Sequence, residues 1–123
     1  MGIKKMILIV DDDARNIFAL KLTLQAKGYK VITSQSAKEA LELLLAEDQI
    51  GLVLLDMMMP EMDGYEAIGM MRKVEGRADI PIIAVTAQAM AGDREKCIEA
   101  GANDYISKPI QVDILMDVVR EWI

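Results

Sequence analysis

Three aspartates stand in a row at positions 11–13, directly after the apolar run MILIV at 6–10. A fourth, Asp56, closes another apolar run, LVLL at 52–55. Thr86 closes a third, IIAV at 82–85, and Ser107 and Lys108 stand at the end of the short run YIS. Carboxylates crowded together repel, and one takes up a proton unless a cation intervenes. Mg²⁺ is the natural cation for such a set: it takes oxygen ligands and needs only one or two protein carboxylates. A Mg²⁺ beside a lysine would neutralise the oxygens of a transferring phosphoryl group. A remaining carboxylate can then be the nucleophile, giving an aspartyl phosphate.

Each residue also has a plainer reading. Asp13 suits a helix N-terminus, Thr86 a strand end, and Lys108 a solvated surface. Those readings are weaker for all of the positions at once, because they recur at the ends of separate apolar runs. A different acid pair, Asp11 and Asp13, has the spacing of a Mg²⁺-dependent phosphatase that forms an aspartyl phosphate, but it leaves Asp56 without a role. A flavin phosphate would be repelled by the three acids at 11–13.

These groups need elements to hold them. Apolar runs and helical patterns alternate five times. The run at 6–10 lacks period-2 alternation and reads as a strand buried on both faces, and the runs at 30–33, 52–55, 82–85 and 105–107 read as four further strands. Asp13 caps a helix from about Ala14 to Lys27, with Ile17, Leu20 and Leu24 on one face, Phe18 and Leu22 flanking, and Gly28 as the stop. Ser36 and Glu39 have capping-box spacing, and their helix carries Leu41, Leu44 and Leu45. A helix through Ile68 and Met71 follows Pro60 and Gly64. Asp93 is placed to cap the next, which stops at Gly101. The last, about 112–123, presents Val112, Leu115, Val119 and Trp122 at core spacing. Five strand–helix units imply an α/β fold with a parallel sheet covered on both sides. Its ligand site then lies at the carboxyl ends of the strands, where Asp11, Asp12, Asp56, Thr86 and Lys108 fall.

Composition narrows the function. The chain has 123 residues, 53% of them hydrophobic, which suits one packed domain. There is no histidine, which excludes Ser-His-Asp and Cys-His catalysis, histidine-ligated zinc and a phosphohistidine donor role. The net charge of −6 disfavours nucleic acid. A single cysteine, Cys97, forms no internal disulfide and fits a cytoplasmic setting. No apolar run reaches membrane-spanning length, and no signal-peptide pattern is present.

The whole chain resembles the receiver domain of two-component response regulators. The resemblance rests on ILIVDDDARN, LLDMMMPEMDGYE, IIAVTAQAM and GANDYISKPI, in the family's order and spacing. The second matches the pattern D-x-x-M-P-x-M-D-G and is the most specific. TAQAM and DYISKPI look most like receivers of hybrid histidine kinases and their single-domain relatives. The resemblance implies a flavodoxin-like (βα)₅ fold, sheet order 2-1-3-4-5, as a single receiver domain over 1–123 without an output domain. It implies a phosphoacceptor switch rather than an enzyme. Asp56 would accept the phosphoryl group from a histidine kinase or histidine phosphotransfer protein. Asp12, Asp56 and the backbone carbonyl of Met58 would bind Mg²⁺, with Asp11 acting through a water. Lys108 would pair with Asp56 or its phosphate, Thr86 would move to the phosphate, and Tyr105 would follow inward, changing the surface offered to a downstream protein target. The Lys108–Pro109 bond would be cis. Met58 and Gln88 would influence the phosphate's lifetime. A monomer or weak dimer, free of membrane and nucleic acid, completes the expectation. Met57 and Met58 are expected at the rim of the site, and Met59 in the core.

Overall fold

The computed structural model describes residues 6–60, 62–87 and 92–123. Gln88 lies outside them. The chain alternates β1 (Met6–Val10), α1 (Ala14–Ala26), β2 (Lys30–Ser34), α2 (Ala37–Ala46), β3 (Ile50–Asp56), α3 (Gly64–Arg72), β4 (Ile82–Thr86), α4 (Asp93–Ala100), β5 (Asp104–Ser107) and α5 (Val112–Trp122). The strands form one parallel sheet in the order β2-β1-β3-β4-β5.

Successive strand residues point to opposite faces, so each apolar run feeds two cores. Leu8, Val10, Val53, Leu55, Ile82 and Ala84 pack with the inner faces of α2, α3 and α4. Ile7, Ile9, Leu52, Leu54, Ile83 and Val85 pack with α1 and α5. Double coverage is why the strands read as continuous apolar runs.

Local signals set the element ends. The Asp13 side chain accepts from Arg15 N at the start of α1, and Gly28, at φ +93°, follows its end. Ser36 Oγ accepts from Glu39 N at 3.2 Å. The return bond of that capping box goes one residue early, from Gln35 N to the Glu39 carboxylate. Asp93 does not cap α4. Gly92 holds the cap position at φ +91°, and Asp93 begins the helix and places its charge in the first turn.

Two core expectations and one rim expectation fail for geometric reasons. Leu45 is 69% exposed, because Leu44 takes the inward position of that turn and is buried. Val112 is exposed at the first turn of α5, while Leu115, Met116 and Val119 face the sheet. Met57 is buried in the core rather than lining the rim. Its N–H donates to Val85 O at 2.9 Å, so the strand ladder runs one residue past Asp56 and turns this side chain inward.

Two arginines close the opposite, amino-terminal edge of the sheet. Arg77 is buried, and its guanidinium donates to the carbonyls of Leu44, Glu47 and Ile50. Arg72 donates to the carbonyls of Ala78, Ile80 and Gly101 and to Asn103 Oδ1. Asn103 Oδ1 also accepts from Ile82 N at 2.9 Å, and Asn103 N donates to Ile82 O at 2.7 Å. Neither arginine carried a sequence signal, because a basic residue near a helix end ordinarily reads as solvated.

Candidate functional site

β1 and β3 are neighbours, with Val10 opposite Leu55. The next residue on each strand is therefore an acid, Asp11 beside Asp56. Ladder bonds carry the backbone past the strand ends and fix this edge: Asp11 N to Ser34 O at 3.0 Å and Lys108 N to Thr86 O at 2.8 Å. Thr86 is buried at the end of β4, and Lys108 follows β5. The Lys108–Pro109 bond is cis, as expected.

Asp11 and Asp56 are almost fully buried, at 3% and 4% exposure, and Asp12 is open to solvent. One oxygen from each of the three lies within 4.8 Å of the others. The Lys108 ammonium is 3.5 Å from Asp56 Oδ1 and 3.8 Å from Asp11 Oδ2. Asp11 Oδ1 accepts from Asp13 N at 2.9 Å, and Asp56 Oδ1 accepts from Met58 N at 3.1 Å. Burial raises the Asp11 carboxyl above its ordinary value of 3.8, and the charge of Asp56 adds to the rise. The Asp13 N–H and the Lys108 ammonium act against it.

Asp13 faces elsewhere. Its carboxylate is exposed and accepts from Arg15 N at 2.9 Å. It is spent as a helix cap, which removes the acid partner that the Asp11–Asp13 phosphatase alternative requires. Met58 is exposed beside the acids and Met59 is buried, both as expected. Tyr105 is half-buried and packs against the core on the α2, α3 and α4 side.

The residues fit a hard divalent cation. The donor set is all oxygen, the acids crowd within reach of one ion, and burial penalises an uncompensated charge on Asp11. Lys108 alone balances one of three carboxylates.

Gly64 shapes the loop between Asp56 and α3. A Cβ there would lie 2.7 Å from Met57 Cα, so only glycine lets the two backbones approach. On the far side of the acids, between α1 and α5, a cavity of 590 Å³ opens, with Asp11, Asn16, Leu20, Lys108, Pro109 and Ile110 among its lining residues.

Residues 7–120 match the family model of the response regulator receiver domain. The polar-differentiation response regulator DivK of Brucella ovis is 36% identical over 119 residues, covering 97% of this chain and 96% of that protein. The hybrid signal transduction protein dokA of Dictyostelium discoideum is 38% identical over 121 residues, but the chain spans only 7% of its length. Among solved structures, the receiver domain of a sensor histidine kinase from Pseudomonas aeruginosa has a TM-score of 0.85 at 34% identity, with 96% of each chain covered. That structure holds a magnesium ion coordinated in its active-site cleft. A CheY-like receiver domain protein from Methanospirillum hungatei has a TM-score of 0.85 at 33% identity, covering 95% of this chain and 91% of that one.

Proposed function

The chain belongs to the response regulator receiver domain family, and on that premise we propose that Asp56 takes a phosphoryl group from a histidine of a partner protein. One observation carries the reading: Asp56 is buried at a strand end, with Asp11 and Asp12 within 4.8 Å and the Lys108 ammonium at 3.5 Å.

In the proposed transfer a carboxylate oxygen of Asp56 forms a bond to phosphorus. The phosphorus–nitrogen bond to the donor imidazole breaks, and the imidazole leaves with the electron pair and takes up a proton. A carboxylate nucleophile needs no general base, which suits a chain without histidine. Lys108 neutralises charge beside the acceptor. Asp11, Asp12, Asp56 and the Met58 backbone carbonyl would hold Mg²⁺. Bound there, the ion would offset the negative charge that gathers on the phosphoryl oxygens.

The donor, a histidine kinase or histidine phosphotransfer protein, approaches over α1. Phe18 and Leu22 are large apolar residues exposed on that helix, near the cavity beside Asp11 and Lys108. Phosphorylation adds about 1.5–2 negative charges and strong acceptor oxygens. Thr86 then moves to the phosphate and Tyr105 follows. Only a phosphate that binds one arrangement better than the other shifts the population. The changed face of α4, β5 and α5 is read by a downstream protein.

Acetyl phosphate with and without Mg²⁺, followed by intact mass, tests the acceptor. The expected result is one phosphoryl adduct that needs Mg²⁺ and vanishes in Asp56→Asn. An adduct surviving in Asp56→Asn would overturn the assignment. Thr86→Ala should keep the adduct and lose most of the phosphorylation-induced change in amide spectra around Tyr105.

A further inference from the structure

The exposed leucine on α2 has a partner ridge. Leu41 and Leu45 lie four residues apart on α2, so they share a face. Met70 on α3 and Val74, in the turn after it, have the same spacing. Together these four line an open groove of 380 Å³ between the two segments, with Glu42, Lys73 and Glu75 also in its walls. Leu45 is 69% exposed and Met70 43%, so the apolar ridges stand in water rather than closing on each other.

The groove does not suit a small polar ligand. Such sites set a few convergent polar groups into an apolar cavity, and here the only polar lining residues are charged ones. Two apolar ridges with i, i+4 spacing suit a third helix laid between them, its anchors repeating at i, i+3 or i+4, and i+7. Met70 at the lip adds an adaptable surface.

Charge selects the kind of helix. Exposed on α2, α3 and the turn after α3 are Glu39, Glu42, Glu66 and Glu75 against Lys38 and Lys73. The two arginines of this region, Arg72 and Arg77, are turned to the sheet edge and occupied by carbonyls. Glu42 and Glu75 make no ion pair among the described residues. We propose that the α2–α3 groove docks an amphipathic helix of a partner protein whose apolar stripe is flanked by lysine or arginine. The surface lies away from the α1–α5 side and stands independently of the Asp56 reading.

The probe is a fluorescein-labelled amphipathic helical peptide with leucines at i, i+3, i+4 and i+7 and flanking lysines, titrated by anisotropy against the full chain. Saturable binding is expected, with at least about a tenfold loss of affinity in Leu45→Glu and in Met70→Glu. Replacing the peptide lysines by glutamates should weaken it similarly, and Phe18→Glu on α1 should leave it unchanged. Amide chemical-shift changes should cluster on α2 and α3. Both helix residues are exposed, so the variants should keep the wild-type thermal unfolding midpoint, which circular dichroism checks. Absence of saturable binding, binding lost in Phe18→Glu but kept in Leu45→Glu, or equal binding of the glutamate peptide would each overturn the proposal.

Discussion

The two ends of the sheet solve opposite electrostatic problems. At the carboxyl end, three carboxylates crowd together and one ammonium pairs with two of them. At the amino end, two guanidiniums are surrounded by backbone carbonyls and one asparagine oxygen. The amino end is internally complete: its donors and acceptors satisfy one another, and it fastens the ends of α2 and α3 to the starts of β3 and β4. At the carboxyl end the carboxylates outnumber the ammonium that offsets them. The hydrogen-bonded fastening and the candidate site thus lie at opposite ends of the strands, the site at the carboxyl ends where parallel sheets bind ligands. Functional edges keep unfavourable local arrangements that the surrounding structure enforces.

The sharpest way to break this contrast is Arg77→Leu. It leaves the carbonyls of 44, 47 and 50 without their donor. Buried groups left unpaired cost about 1–3 kcal/mol each, so a loss of about 3–5 kcal/mol is expected in urea unfolding. A loss under about 1 kcal/mol would mean that the amino edge is not a fastening. Asn103→Ala comes next. It removes an acceptor shared by Ile82 N and Arg72, and should cost about 2 kcal/mol.

Gly64→Ala tests whether the carboxyl edge has its own rigid part. Its new Cβ meets backbone, not only a flexible side chain. About 2 kcal/mol of destabilisation is expected, together with slower phosphorylation by acetyl phosphate. Unchanged kinetics would show that the loop position is not set by this approach.

The smallest change has the opposite sign. The Asp11 carboxyl titrates above its ordinary 3.8 in the folded protein. Where both folded and unfolded forms carry the charge, only the folded form bears the cost of burying it. As pH falls through the folded value, the native state takes up the proton first and the cost is relieved. In EDTA, Asp11→Asn should therefore raise the unfolding midpoint at neutral pH, with the gain shrinking as pH approaches 3.8. Adding Mg²⁺ should reverse the order by stabilising the wild type more. A destabilised Asp11→Asn in EDTA would remove the contrast between the two edges.

The carboxyl edge was far more legible in the sequence than the amino edge, and the difference is physical. Strands covered on both faces leave unbroken apolar runs, and an acid after such a run stands out, so Asp11, Asp56, Thr86 and Lys108 could be aligned before any coordinates. Hydrogen bonds from Arg72 and Arg77 to carbonyls depend on chain paths that no local pattern encodes. Helical spacing grouped Leu41, Leu44 and Leu45, yet the sheet covers only part of that arc. Met57 turns inward rather than to the rim because the apolar run ends at the acid while the ladder continues for one more bond. For α4, the acid at 93 is the stronger local signal, yet the glycine before it, with its positive φ, sets the helix entry.

The pairing of Val10 with Leu55 reaches beyond the site it prepares. Two residues 45 apart in the chain become neighbours only when β1 and β3 align in this one register. A slip by a single position would set a leucine or a methionine against Asp11 and swing the carboxylate of β3 to the other face. On the proposed function, affinity for a divalent cation would be a ruler for strand alignment. A refolding chain would acquire it only when β1 and β3 have locked, and metal uptake would then time the longest-range step in assembling this sheet.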